Sequence, residues 1–206
     1  MTPGSFRWTR AAALVFGLAA APALAQEAPD VLVRRVSQDV LQTIKSDPLV
    51  QAGNEARIRE VMESKLLPNF DFQRMTSLAM GRNWRAANPD QQKRLVEEFR
   101  TLLVRTYSSA LNQYRNETID YKPLRMAATD TDVTVRTAVQ KPGGQPVQID
   151  YSMAKAADGW KAYDVIVGGV SLVTNYRDEF NEQVKAGGVD GLVKSLADRN
   201  KGGAAK

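Results

Sequence analysis

The hydrophobic period of the chain changes once, near Asn116, and this change constrains the fold more than any other feature. Before it, apolar residues recur at helical spacing; after it, they alternate. A block of helices followed by a block of strands makes an α+β domain, not an alternating α/β one. Val33, Val36, Val40 and Ile44 form the first helical stripe, closed by Asp47-Pro48. Ile58, Val61, Met62, Lys65 and Leu66 form a second that ends at Pro68, and Phe72, Met75, Leu78 and Ala79 a short third, stopped by Gly81. Asn88-Pro89 reads as an N-cap and first helical residue, with Gln91 placed for a reciprocal capping bond. The longest stripe follows: Leu95, Phe99, Leu103, Tyr107, Leu111 and Tyr114.

Four strands are expected after the switch. The first covers residues 118–128, with Pro123 marking an edge or a bulge. Val133, Val135, Thr137 and Val139 alternate along the second, and Pro142-Gly143-Gly144 turns the chain. Ile149, Tyr151 and Met153 lie on the third; residues 160–167 make a fourth that is apolar on both parities near its end. A helix over residues 171–185, ending at Gly187-Gly188, and a short one holding Leu192, Val193 and Leu196 complete the domain. The expected architecture is a helix cluster wrapped on a twisted four-stranded antiparallel sheet. Such a half-cone can enclose a deep apolar cavity, expected at about 300–1,000 Å³ if it takes a ligand.

Residues 1–25 stand apart from this domain. Arg7 and Arg10 precede an apolar run, and Ala23-Leu24-Ala25 supplies a small-x-small cleavage pattern. This is the layout of a cleaved secretory signal peptide, with no cysteine after the cut to carry a lipid. The mature domain is then 26–200, with a disordered tail at 201–206. Cleavage takes away two positive charges and no acid, lowering the net charge from +5 to +3. The basic residues come at most in pairs, Arg34-Arg35 and Lys93-Arg94, which are solvated helix faces rather than the stripe a nucleic-acid binder needs. No nucleic-acid partner is expected.

The 206 residues include no His and no Cys. That removes imidazole bases, thiol nucleophiles and the usual zinc ligand sets. The remaining catalytic patterns fail on geometry. Ser152 and Lys155 match Ser-x-x-Lys, but on a strand their offset of three points them to opposite faces. Gly168-Gly169-Val170-Ser171 lacks the second glycine of a nucleophile elbow. Asp130 and Asp132 read as turn residues, and Asn116-Glu117-Thr118 as a chance glycosylation pattern. What remains is an apolar helix stripe facing an apolar sheet, and on pattern alone an ordinary solid core is the better account.

Further residues carry a resemblance. Gly159-Trp160-Lys161, Tyr163-Asp164, Gly169-Val170-Ser171, Asn175-Tyr176-Arg177 and Phe180 occur in that order. Upstream stand Pro68 with Phe70-Asp71-Phe72, then Gly81, Trp84, Gln92 and Phe99; downstream stand Gly188, Asp190, Gly191 and Leu192. Over nearly the whole mature chain this resembles the MlaC family of periplasmic phospholipid-binding proteins, also called toluene-tolerance auxiliary proteins. Gly168 departs from the pattern, since many relatives carry Glu there.

The resemblance implies a soluble, monomeric, non-enzymatic periplasmic carrier with no cofactor and a phospholipid as cargo. It also implies exchange with two partners: the outer-membrane lipoprotein MlaA with its porin, and the inner-membrane ABC transporter MlaFEDB. The acyl chains would lie between helices and sheet. The expected wall consists of Met75, Leu103, Tyr107, Tyr114, Leu172 and Tyr176 from the helical segments. The sheet adds Val135, Ile149, Tyr151, Met153 and Ile166. Asp164, Asn175 and Arg177 are expected to fix the strand-to-helix corner instead. Two alternatives stay open: an enzyme on the same scaffold using Asp71 or Asp164 as acid or base, and an adaptor with a solid core and an exposed groove.

Overall fold

The computed structural model describes residues 26–111 and 117–202. The expected signal peptide, Asn116 and the end of the tail lie outside that range. Helix α1, Pro29–Ser46, opens on a proline whose missing N–H costs nothing in the first turn and buries Leu32, Val33, Val36, Val40 and Ile44. Asp47 ends it and caps the short α2, Pro48–Gln51, accepting from the Leu49 and Val50 amides at 3.0 and 3.3 Å. Helix α3, Glu55–Val61, runs into a π-helical turn, Met62–Leu66, and a 3₁₀ turn, Leu67–Asn69. Asp71 caps α4, Phe72–Met80, which stops at Gly81 with φ 55°. Asn88 and Gln91 then form the reciprocal box, with the Gln91 amide on Asn88 Oδ1 at 2.9 Å and the Asn88 amide on Gln91 Oε1 at 3.0 Å. Helix α5 occupies Pro89–Leu111.

The sheet is an antiparallel meander of five strands in sequence order, one more than expected. They are β1 Thr118–Tyr121, β2 Asp132–Gln140, β3 Val147–Ala156, β4 Gly159–Val167 and β5 Val170–Ser171. Two differences have local causes. Strand β1 ends at Tyr121 and does not reach residue 128, because Pro123 has no N–H to continue the ladder. Gly168 and Gly169, at φ 58° and 85°, reverse the chain so that Val170 and Ser171 pair back onto Val167 and Ile166. Ser171, expected to begin a helix, thus lies with Val170 in an edge strand, and α6, Arg177–Lys201, starts later. Gly188 breaks α6 at φ 67°, close to where the glycine pair predicts the boundary.

A second irregularity lies inside β4. Ser152 pairs with Asp164 but Met153 pairs with Ala162, leaving Tyr163 as an extra, bulged residue. Side chains on either side of a bulge change phase. Trp160 and Ala162 therefore share a sheet face with Val165 and Val167, and Ile166 points to the other.

Three apolar clusters hold these elements. The largest joins α4, α5 and α6 around Phe99, whose ring meets Tyr176 and Phe180 edge-on at 5.1 and 5.2 Å. A second joins α1, α2 and α3 to Val104 of α5. The third seats the first half of α1 on the sheet, through Leu32, Val33 and Val36 against Val135, Met153, Trp160 and Ala162.

Candidate functional site

Where the three clusters meet, the side chains fail to fill the space, and a cavity of about 250 Å³ remains. The second half of α1 contributes Ser37, Val40, Leu41 and Ile44, and the turns after α3 contribute Met62, Leu66 and Leu67. Phe70, Phe72 and Met75 follow, with Leu103, Val104 and Tyr107 from α5. The opposite wall is the sheet face bearing Ile119, Val139, Ile149, Tyr151, Val165 and Val167, continued by Leu172. Among the described residues, no charged one lines it. The volume falls short of the ~300–1,000 Å³ expected.

Six of the expected wall residues lie on this cavity: Met75, Leu103, Tyr107, Ile149, Tyr151 and Leu172. Four do not. Val135 and Met153 share the sheet face with Ile149 but are sealed beneath the first half of α1, each 1% exposed. Ile166 faces away because of the Tyr163 bulge. Tyr176 is packed in the solid cluster against Phe99 and Phe180. Tyr114 lies outside the described residues. The N-terminal helices and turns supply eight apolar wall residues from Val40 to Phe72 that were not expected there, five of them (Val40, Ile44, Met62, Leu66 and Phe72) members of the helical stripes. Their helical spacing shows which face is apolar but not that the face is left incompletely covered.

The electrostatics inside are those of neutral hydroxyls. Burial, then the neighbouring Tyr176, pushes the Tyr107 hydroxyl up to about 12. Burial also raises Tyr121, against which the Ser37 hydroxyl and the Arg34 guanidinium act. The carboxylates of Asp71 and Asp164, the acid–base candidates, are engaged in local structural bonds. Asp71 accepts from the Arg74 amide at 2.8 Å as the α4 cap. Asp164 accepts from the Ser171 hydroxyl at 2.5 Å and the Val173 amide at 3.2 Å, while Ser171 Oγ accepts from the Thr174 amide at 3.0 Å. Arg177 donates to the Leu78 carbonyl at 3.1 and 3.3 Å, tying the start of α6 to α4. Asp164 and Arg177 thus hold the corner as expected; among the described residues no side-chain bond of Asn175 joins them.

The family model described as MlaC protein matches residues 34–198 of the chain. The intermembrane phospholipid transport system binding protein MlaC of Haemophilus influenzae is 22% identical over 181 residues, covering 84% of this chain and 83% of its own. The toluene tolerance protein ttg2D of Pseudomonas putida is 26% identical over 176 residues, covering 84% and 81%. Among solved structures, a phospholipid-binding protein from Ralstonia solanacearum, in complex with a phospholipid, superposes with a TM-score of 0.78. It is 44% identical, and the match covers 83% of this chain and 96% of that one.

Proposed function

The chain belongs to the MlaC family, and from that premise we propose that it is a phospholipid-binding transport protein of the periplasm, exported by residues 1–25. The observation that carries the reading is the apolar cavity between α1, α5 and the sheet, in a chain 44% identical to a protein solved with a phospholipid bound. The acyl chains occupy the cavity and no covalent step is needed. Burying a methylene is worth ~0.8 kcal/mol, so two chains of ~15 methylenes cost roughly 24 kcal/mol to expose. Free lipid therefore does not cross an aqueous gap at a useful rate. An apolar sleeve largely removes that cost, since the tails leave one apolar environment for another.

The cavity is smaller than a diacyl lipid, so loading requires its wall to part. The wall on the helical side includes a π turn and a 3₁₀ turn in succession, Met62–Leu66 and Leu67–Asn69, where helical hydrogen bonding is already irregular. The helical layer separates there from the sheet. The carrier takes lipid from, and delivers it to, an outer-membrane MlaA–porin assembly and an inner-membrane MlaFEDB transporter.

Native mass spectrometry of the protein purified without detergent tests this reading. A population heavier by one or more phospholipids is expected. Bare polypeptide alone, even after mixing with vesicles, would overturn it.

A further inference from the structure

Among the described residues the cavity wall carries three hydroxyl side chains, Ser37, Tyr107 and Tyr151, of which Ser37 on α1 is the aliphatic one. One helical turn earlier on the same side of α1 stands Arg34, exposed, with its guanidinium carbon 4.1 Å from the centroid of the Tyr121 ring. Tyr121 ends β1, two residues after Ile119, and so shares the sheet face on which Ile119 lines the cavity. Arg34, Tyr121 and Ser37 therefore stand together where the cavity meets the gap between α1 and the edge of the sheet.

The charges there are unevenly satisfied. Arg35 is held by Glu27 through two bonds of 2.9 and 2.8 Å. Lys65 is held by Asp39 at 2.9 Å, and Lys122 by Asp120 at 2.5 Å. Arg34 has no carboxylate within 4.0 Å among the described residues. The Tyr121 hydroxyl is shut away from solvent without a partner at bonding geometry, though Ser37 comes close enough to favour its ionised form. A guanidinium with free N–H groups beside an aliphatic hydroxyl is the donor set that phosphate oxygens take.

We infer that Arg34 and Ser37, with the Tyr121 ring as the floor beneath the guanidinium, bind the phosphodiester of a lipid whose tails fill the cavity. This rests on the carrier reading and adds where the headgroup is held. It gives the carrier a means of telling a phospholipid from a neutral lipid with the same tails.

The test compares uptake of dihexanoyl phosphatidylglycerol with uptake of the diacylglycerol carrying the same chains, by calorimetry on delipidated full-length mature protein. For Arg34→Gln, phospholipid binding is expected to weaken about tenfold while diacylglycerol binding is unchanged. Ser37→Ala should give a smaller loss, about threefold, with the same selectivity. Equal losses for both lipids, or no loss for either, would overturn the site. Inorganic phosphate alone is the third probe and is expected not to bind. Phosphate binding without lipid that Arg34→Gln abolishes would assign the site to the free ion and overturn the headgroup assignment. Should the unmodified protein take up neither lipid, the carrier reading falls and the site with it. Should it take up both, with Arg34→Gln behaving identically, only the site falls.

Discussion

Ala162 and Val165 stand three residues apart on β4 yet face the same side of the sheet. Ala162 pairs with Met153 and Val165 with Tyr151, and Tyr163 between them has no partner on β3. The bulge therefore decides which of two adjacent β-branched residues lines the cavity. Val165 does, whereas Ile166, across from Asp150 and Ser171, does not.

Opposite responses to the same charge should follow. Val165→Lys places an ammonium against Tyr151 and Leu172 with no carboxylate among the lining residues to pair with, and is expected to cost about 3 kcal/mol and to abolish lipid retention. Ile166→Lys meets Asp150 across the strand pair and should stay within about 1 kcal/mol of the parent. Urea midpoints and lipid content of the two variants decide it. Equal damage from both would mean that the phase change is absent.

The strand-to-helix corner makes a second prediction. The Asp164 carboxylate serves the Ser171 hydroxyl and the Val173 amide, and Ser171 in turn serves the Thr174 amide. Asp164→Ala strands the buried Val173 amide and the half-buried Ser171 hydroxyl at once and is expected to destabilise by about 2–4 kcal/mol. Asp164→Asn keeps one acceptor oxygen and should recover roughly half of that. Thermal melts of the pair would show it, and an alanine variant as stable as the parent would contradict the role given to the corner.

Alkaline pH probes the cavity directly. The Tyr107 hydroxyl is held up to about 12 by burial and by Tyr176, above its ordinary value of 10.0. The unfolded chain thus loses this proton first, so the stabilisation is complete below about pH 10 and is lost as pH rises towards 12. Tyr121 and Tyr163 are raised in the same sense, so the parent has a composite slope. Tyr107→Phe should flatten part of the fall in urea midpoint between pH 10 and 12 and leave the curve below pH 9 parallel to the parent. An unchanged alkaline slope would mean that Tyr107 is solvated.

These particulars also show what was legible in the sequence. Periodicity and caps located the helices, the capping box at Asn88 and the meander, because those signals are local. The sequence block around Trp160 to Phe180 pointed to the family. The fifth strand was missed because two residues carry no period, and its signal was the glycine pair that reverses the chain. Ile166 was misplaced because strict alternation cannot register one inserted residue. Val135, Met153 and Tyr176 were misassigned for a different reason: whether an apolar face is covered depends on which helix lies over it. Residues 29–36 cover the sheet at Val135, whereas one or two turns further along α1 the cover is incomplete and the cavity opens.

That difference between covered and uncovered apolar surface can be tested by filling it. Leu103 projects from α5 into the cavity, and Leu95 of the same helix lies wholly inside the Phe99 cluster at 0% exposure. A tryptophan at 103 expands into space that is already empty, so Leu103→Trp is expected to cost less than about 1.5 kcal/mol. At 95 there is no such space, and Leu95→Trp should cost about 3 kcal/mol through displaced neighbours. Lipid content should fall in the opposite order relative to stability. Leu103→Trp should melt near the parent temperature but carry little phospholipid, because the indole occupies the volume the acyl chains need. Leu95→Trp should melt early, with whatever remains folded still loaded. Melting curves and native mass spectra on the same preparations give both readouts. A Leu103→Trp protein that keeps both its melting temperature and its full lipid load would place the acyl chains elsewhere in the fold.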